Sequence, residues 1–226
     1  MKKLIRFGFL FPLLAIIGYL VFGIILVKIL KPTEKRDLSH FFHPGDRLVS
    51  RFEGFDQTVL AIKDGWLHTR LEVKPHAAGP PEHFHEHFAE SFTVKSGTLS
   101  ILVDGEKKSL RAGESVTIPP MTRHKPFNET GETVIIESDD PKTLPVEFGY
   151  LLVQLYGFMD EYPNGPSTPQ MLMQLSVYGG EADSWIADGP PIGVQKALRT
   201  LMEPTARLIG YRDNYEEYRP KRSPQV

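Results

Sequence analysis

The 226-residue chain carries 26 lysines and arginines against 28 aspartates and glutamates, a formal charge of −2. Its basic residues form no run long enough to follow a phosphate backbone, which excludes nucleic acid as a partner. There is no cysteine, so disulfides, thiolate nucleophiles and sulfur-ligated metals are excluded, and any metal must be held by nitrogen and oxygen.

At the N-terminus, residues 7–27 (FGFLFPLLAIIGYLVFGIILV) are free of charge. At 1.5 Å per residue such a helix spans the roughly 30 Å hydrocarbon core of a bilayer. Lys2, Lys3 and Arg6 precede it, and Lys28, Lys31, Lys35 and Arg36 follow it. The expectation is a retained single-pass transmembrane anchor, a membrane localisation and the lipid bilayer as a partner through residues 7–27. The nearly balanced flanks leave the side of the membrane open. A cleaved signal peptide is disfavoured, because the apolar run is too long and ends in LVKILKP rather than in small residues.

Residues 31–45, charged and broken by Pro and Gly, read as a linker, with His40 and His43 as solvated side chains. From Asp46 to about Ser138 short β-rich runs alternate with turn residues, which predicts an antiparallel barrel or jelly roll. Asp104-Gly105 marks a tight hairpin, and Ala112-Gly113 separates two further strands. Beyond Pro145 three segments have helical character, with Pro169 and Pro190-Pro191 placed where helix starts are expected. Leu198, Leu201, Met202 and Leu208 recur at helical spacing and predict a face packed on the barrel; a membrane-surface role for Arg199 and Arg207 is the alternative. Residues 211–226 read as a surface tail. The chain thus divides into an anchor with its flanks at 1–36, a β-barrel at 37–145 and a helical extension at 146–226.

Three of the 8 histidines, His83, His85 and His87, fall within five residues. Residues two apart on a strand share a face, so His83 and His85 can present imidazoles to one ion, and His87 has the same parity. Glu90 could re-enter from the next strand, and His124 would return to the same place from a later hairpin beyond Pro119-Pro120. A pairing of His85 with His87 also remains geometrically open.

These two segments resemble the paired motifs of the cupin superfamily. The first runs His83-Phe84-His85, four residues, Glu90, six residues, Gly97. The second runs Gly113, five residues, Pro119-Pro120-Met121, two residues, His124, three residues, Asn128. Met121 stands where the motif has glycine. The resemblance implies a mainly β fold, a cupin jelly-roll β-barrel, here with an N-terminal transmembrane helix and a C-terminal helical extension. It implies His83, His85, Glu90 and His124 as ligands of one divalent metal ion (Fe, Mn, Ni, Cu or Zn), with His87 outside that set. The activity implied is a dioxygenase-like oxidoreductase acting on a small organic substrate, in which Glu90 is both ligand and catalytic proton acceptor. A non-enzymatic ligand-binding or sensing cupin at the membrane surface is the alternative, and a homodimer is compatible with either.

His68 and Arg70 share one strand face that either lines the cavity or meets solvent. Arg123 is read as exposed, with orientation of an anionic substrate as the second reading. Phe84, Phe88, Phe92 and Phe127 are read as barrel core.

Overall fold

The computed structural model describes residues 2–30, 36–138, 140, 142–178 and 182–222. Residues 31–35 of the expected linker and 223–226 of the expected tail lie outside these. The chain opens with helix α1 (Lys2–Leu30) and continues into the strands β1 (Asp46–Ser50), β2 (Phe55–Lys63), β3 (Trp66–Val73), β4 (His83–Phe84), β5 (Glu90–Ser96), β6 (Thr98–Val103), β7 (Glu106–Arg111), β8 (Ser115–Ile118), β9 (His124–Phe127), β10 (Val134–Glu137) and β11 (Leu144–Pro145). Helices α2 (Val146–Asp160) and α3 (Thr168–Val177), the short strand β12 (Trp185–Ile186), helix α4 (Ile192–Leu208) and the short strand β13 (Lys221–Arg222) complete it.

The strands form two antiparallel sheets. One has the order β13-β1-β2-β3-β10-β5-β8, with β11 added on β3; the other has the order β12-β4-β9-β6-β7. The inner faces enclose an apolar core that includes Val73, Val94, Leu99, Ile101, Ile118 and Val134, all at most 1 % exposed. Asp104 and Gly105 both take positive φ (48° and 81°), the left-handed pair that a two-residue hairpin between β6 and β7 requires.

Prolines begin two of the helices, since Pro145 and Pro191 sit at the N-caps of α2 and α4. Pro169 falls in the first turn of α3, where the Gln170 side chain accepts the Ser167 N–H at 2.8 Å. Helix α2 packs on β1, β3 and β11. Gly149 allows the close approach, because a Cβ there would come within 2.5 Å of Leu67. The C-terminal segment is more than a loose tail. Gln154 and Gln174 hold its backbone at Tyr215 and Arg212, Tyr150 donates to the Asp213 carbonyl, and β13 pairs with β1.

Two expectations are corrected here. The apolar stripe of α4 faces α3 and α1 rather than the barrel, and Leu208 at its end is exposed. Arg199 and Arg207 are buried and donate to backbone carbonyls, so they are not membrane-surface cations. Secondly, no helix among the described residues is long and apolar enough to cross a membrane. This overturns the transmembrane anchor and the membrane localisation expected from residues 7–27. The segment is helical, most of its apolar side chains between Phe11 and Ile29 are exposed, and one part of it contacts α4. Gly23 admits Pro204 of α4 to within 2.8 Å of where its Cβ would stand, Val27 is buried, and Tyr19 hydrogen bonds Thr205.

Candidate metal centre

Strand pairing brings the expected ligands together. His83 on β4 lies directly across from His124 on β9, and Glu90 begins β5, which pairs with β8. His85 follows β4 by one residue and points the same way as His83. The ligand atoms of His83, His85, Glu90 and His124 all lie within 4.8 Å of one another. His124 Nε2 is 2.8 Å and His85 Nε2 3.5 Å from Glu90 Oε2.

The other ring nitrogens settle the tautomers. Nδ1 of His83 lies 2.9 Å from the Pro81 carbonyl, Nδ1 of His124 lies 2.9 Å from the Thr122 carbonyl, and Nδ1 of His85 meets the Asp183 carbonyl. A carbonyl only accepts, so each Nδ1 carries the proton and each Nε2 offers a lone pair to the shared centre. His85 Nε2 is buried and makes no hydrogen bond, a polar atom left without a partner.

Electrostatics act differently on the members of the cluster. Burial, reinforced by the neighbouring His85 and His124, pushes His83 down to about 3, so it stays neutral. Burial opposes ionisation of Glu90, but the neighbouring His85 and His124 outweigh it and hold the carboxyl well below its usual range. Burial likewise disfavours His124 cation, and its bond to Glu90 reverses the balance and raises it. Three nitrogens and one carboxylate oxygen suit first-row divalent ions. Ligands about 2.1 Å from such an ion sit roughly 3–4 Å apart, so the four donors need only close slightly. The residues present therefore fit a metal.

Two neighbours brace the cluster. The Phe88 ring stacks on His85 at 4.3 Å, and Phe148 of α2 meets it edge-on at 5.0 Å. Met121 takes φ 65°, so the left-handed turn of the second motif survives without its glycine, and the Met121 N–H donates to the His85 carbonyl at 2.7 Å.

His87 is excluded from the cluster. Its side chain is largely exposed and its Nδ1 lies 3.2 Å from Asp183 Oδ2. Asp183 also accepts the backbone N–H groups of Glu86 and His87 at 2.7 and 2.8 Å and the Trp185 indole at 3.1 Å. Its oxygens are thus taken up in anchoring the 86–88 loop. The backbone around Asp183 is in turn gripped by Arg199, which donates at 2.7 Å to both the Ala182 and Ser184 carbonyls and lies 3.9 Å over the Trp185 ring. Nothing in the local sequence pattern of the C-terminal segment signals this support for His85.

Beside the cluster lies a cavity of about 170 Å³ with His83 and Glu90 in its wall. Thr69 and Leu71 of β3 face it, so His68 and Arg70 are on the opposite face. His68 Nε2–H donates to the Ser138 carbonyl and Arg70 pairs with Glu137 across β10. Arg123 is outside, held by Glu82 and Asp188. Of the four phenylalanines, Phe88 and Phe92 are buried, whereas Phe84 and Phe127 are only half-buried. Phe127 lies beneath Lys107 and Lys125. Sequence reasoning missed Glu53, buried on the turn between β1 and β2, and Tyr156 of α2, which both line the cavity.

A two-sheet jelly roll with three imidazoles and a carboxylate converging at one wall is consistent with a barrel that binds a metal ion. Residues 69–137 match the family model of the cupin domain. Among curated proteins, the chain is 25 % identical over 206 residues to the "probable oxidoreductase virH" of Hypocrea virens (strain Gv29-8 / FGSC 10586), covering 84 % of this chain and 92 % of that protein. Among solved structures, it is similar to an RmlC-like cupin from Shewanella frigidimarina NCIMB 400 (24 % identity, TM-score 0.36, 45 % of this chain and 94 % of that one). It is also similar to KdgF from Halomonas sp. (21 % identity, TM-score 0.34, 37 % and 77 %).

Proposed function

We propose that the protein is a metal-dependent oxidoreductase, dioxygenase-like in type, acting on a small organic molecule held in the cavity beside His83 and Glu90. The observation that carries this reading is the convergence of three Nε2 lone pairs and one carboxylate at a cavity wall. Four protein donors leave one or two positions of a divalent ion open to exchange. The name given to the curated relative, a probable oxidoreductase, supports redox chemistry over other uses of the same shell.

When bound, the ion supplies Lewis acidity and, for a redox-active metal, electron transfer. The chain's own residues do the rest. His83, His85 and His124 hold the ion, Phe88 and Phe148 shield His85 from water, and Glu90 accepts the proton of a substrate hydroxyl brought to the cavity wall.

The test is dioxygen uptake by the full chain loaded separately with Fe(II), Mn(II), Ni(II), Cu(II) or Zn(II), over a panel of phenols and enolisable ketones. Uptake with a redox-active metal, absent with Zn(II), supports the reading. No uptake with any metal, from compounds that nevertheless raise the melting temperature, would replace it with a ligand-binding protein.

A further inference from the structure

The cavity wall carries two further polar side chains. Glu53 and Tyr156 are 6 % and 5 % exposed, and both line the same cavity. They belong to different elements, a turn of the larger sheet and the middle of α2, so the barrel and the extension each contribute one partner. The rest of the lining is largely hydrocarbon: Leu71, Phe92 and Ile136 from the sheet, Leu151 and Leu155 from α2, Met171 from α3.

Three facts narrow what can occupy this space. No lysine or arginine lines it among the described residues, so in the metal-free chain an anionic ligand would enter an apolar cavity without a cationic side chain. Gln57 and Thr69 are already engaged with each other, Gln57 donating to the Thr69 hydroxyl at 2.7 Å. The Glu53 carboxyl, with Tyr156 on one side, retains hydrogen-bonding capacity toward the cavity: a carboxylic acid donates through its O–H and accepts through its second oxygen.

We infer that the ligand of this cavity is an uncharged, predominantly hydrocarbon molecule carrying a hydroxyl or carbonyl group that hydrogen bonds to the Glu53–Tyr156 pair. Glu53 is then a specificity-determining residue. Burial, opposed by the Tyr156 hydrogen bond, raises the Glu53 carboxyl to about 7, which agrees with a pair that serves a neutral partner. Asp160 is the other titratable group acting on Glu53 and pushes the carboxyl in the same direction as burial.

The inference rests on reading this cavity as the substrate site, and its test avoids the metal altogether. The full chain, freed of metal with chelator at pH 6, is titrated with naphthalene, 2-naphthol and 2-naphthoate, and binding is followed by probe fluorescence. We expect 2-naphthol to bind at least tenfold more tightly than naphthalene, and 2-naphthoate more weakly than either. Glu53→Leu should erase the advantage of 2-naphthol while leaving naphthalene binding in place, and Tyr156→Phe should reduce it. Equal binding of all three probes by the wild-type chain, tighter binding of the anion, or an advantage of 2-naphthol that survives Glu53→Leu in a folded variant would overturn the inference. The wild-type ranking decides the ligand class even if a variant fails to fold. Failure of the oxidoreductase reading leaves this ranking untouched, and failure of the ranking leaves the metal centre untouched.

Discussion

Replacing Arg199 with methionine should weaken both the fold and the metal centre, although Arg199 touches no ligand. Its guanidinium is 7 % exposed and donates at 2.7 Å to the Ala182 and Ser184 carbonyls. Burial lowers it to about 10, partly offset by Asp183, so it remains charged at neutral pH. Hydrogen bonds from a charged donor contribute about 1.5–3 kcal/mol each, and the contact with the Trp185 ring adds roughly 0.5–2 kcal/mol. Methionine keeps the apolar stem but orphans two carbonyls, for a net loss of about 3–5 kcal/mol once non-additivity is allowed for. The same backbone turn presents the Asp183 carbonyl to His85 Nδ1, so metal affinity should fall about 10–100-fold, as when the groups that orient metal ligands are removed. Urea unfolding of the metal-free chain measures the first effect, and competition with a chromogenic chelator for Zn(II) measures the second. A variant that loses stability but binds Zn(II) within twofold of wild type would refute the link from Arg199 through Asp183 to His85.

Other perturbations have opposite signs. A carboxyl raised to about 7 in the fold from an ordinary value near 4.5 binds its proton more tightly when folded. Its stabilising contribution is therefore full below about pH 4.5 and is lost as pH rises to about 7, for at most roughly 3 kcal/mol; Glu53→Gln should gain stability relative to wild type over this interval in parallel urea melts, and parallel pH profiles would contradict the assignment. Met121→Gly should raise the melting temperature slightly, since a non-glycine residue at φ 65° carries about 1 kcal/mol of strain; a marked drop would show that the methionine side chain matters. Gly149→Val should cost about 1–3 kcal/mol by driving α2 off Leu67, and loss of 2-naphthol binding should accompany it, because α2 lines the cavity.

What was legible in the sequence follows from the period of the structure. His83, His85, Glu90 and His124 occupy strands or strand ends at fixed spacings, and the barrel pairs β4 with β9 and β5 with β8 in the register those spacings imply. Glu53 and Tyr156 lie in a turn and a helix 103 positions apart in sequence, and Asp183 supports His85 through a backbone carbonyl that no residue type announces. Their meeting depends on how the helical extension docks, and an apolar stripe does not name its partner. For the same reason Leu198 and Leu201 could be read as a packed face while the element receiving them, α3 and α1 rather than the barrel, could not. Residues 7–27 show the converse: the length of an apolar run suggested a bilayer, yet the positions Tyr19, Gly23 and Val27 serve contact with α4.

The central claim, that three imidazoles and Glu90 form one metal centre, is tested most directly by metal stoichiometry. Elemental analysis combined with chelator titration should be run on the full chain and on His85→Ala, His124→Ala and His87→Ala. The account predicts about one divalent ion per chain, loss of most binding in the first two variants, and a much smaller loss for His87, whose imidazole faces Asp183 outside the cluster. A wild-type stoichiometry near zero, or equal losses for His87 and His85, would contradict it.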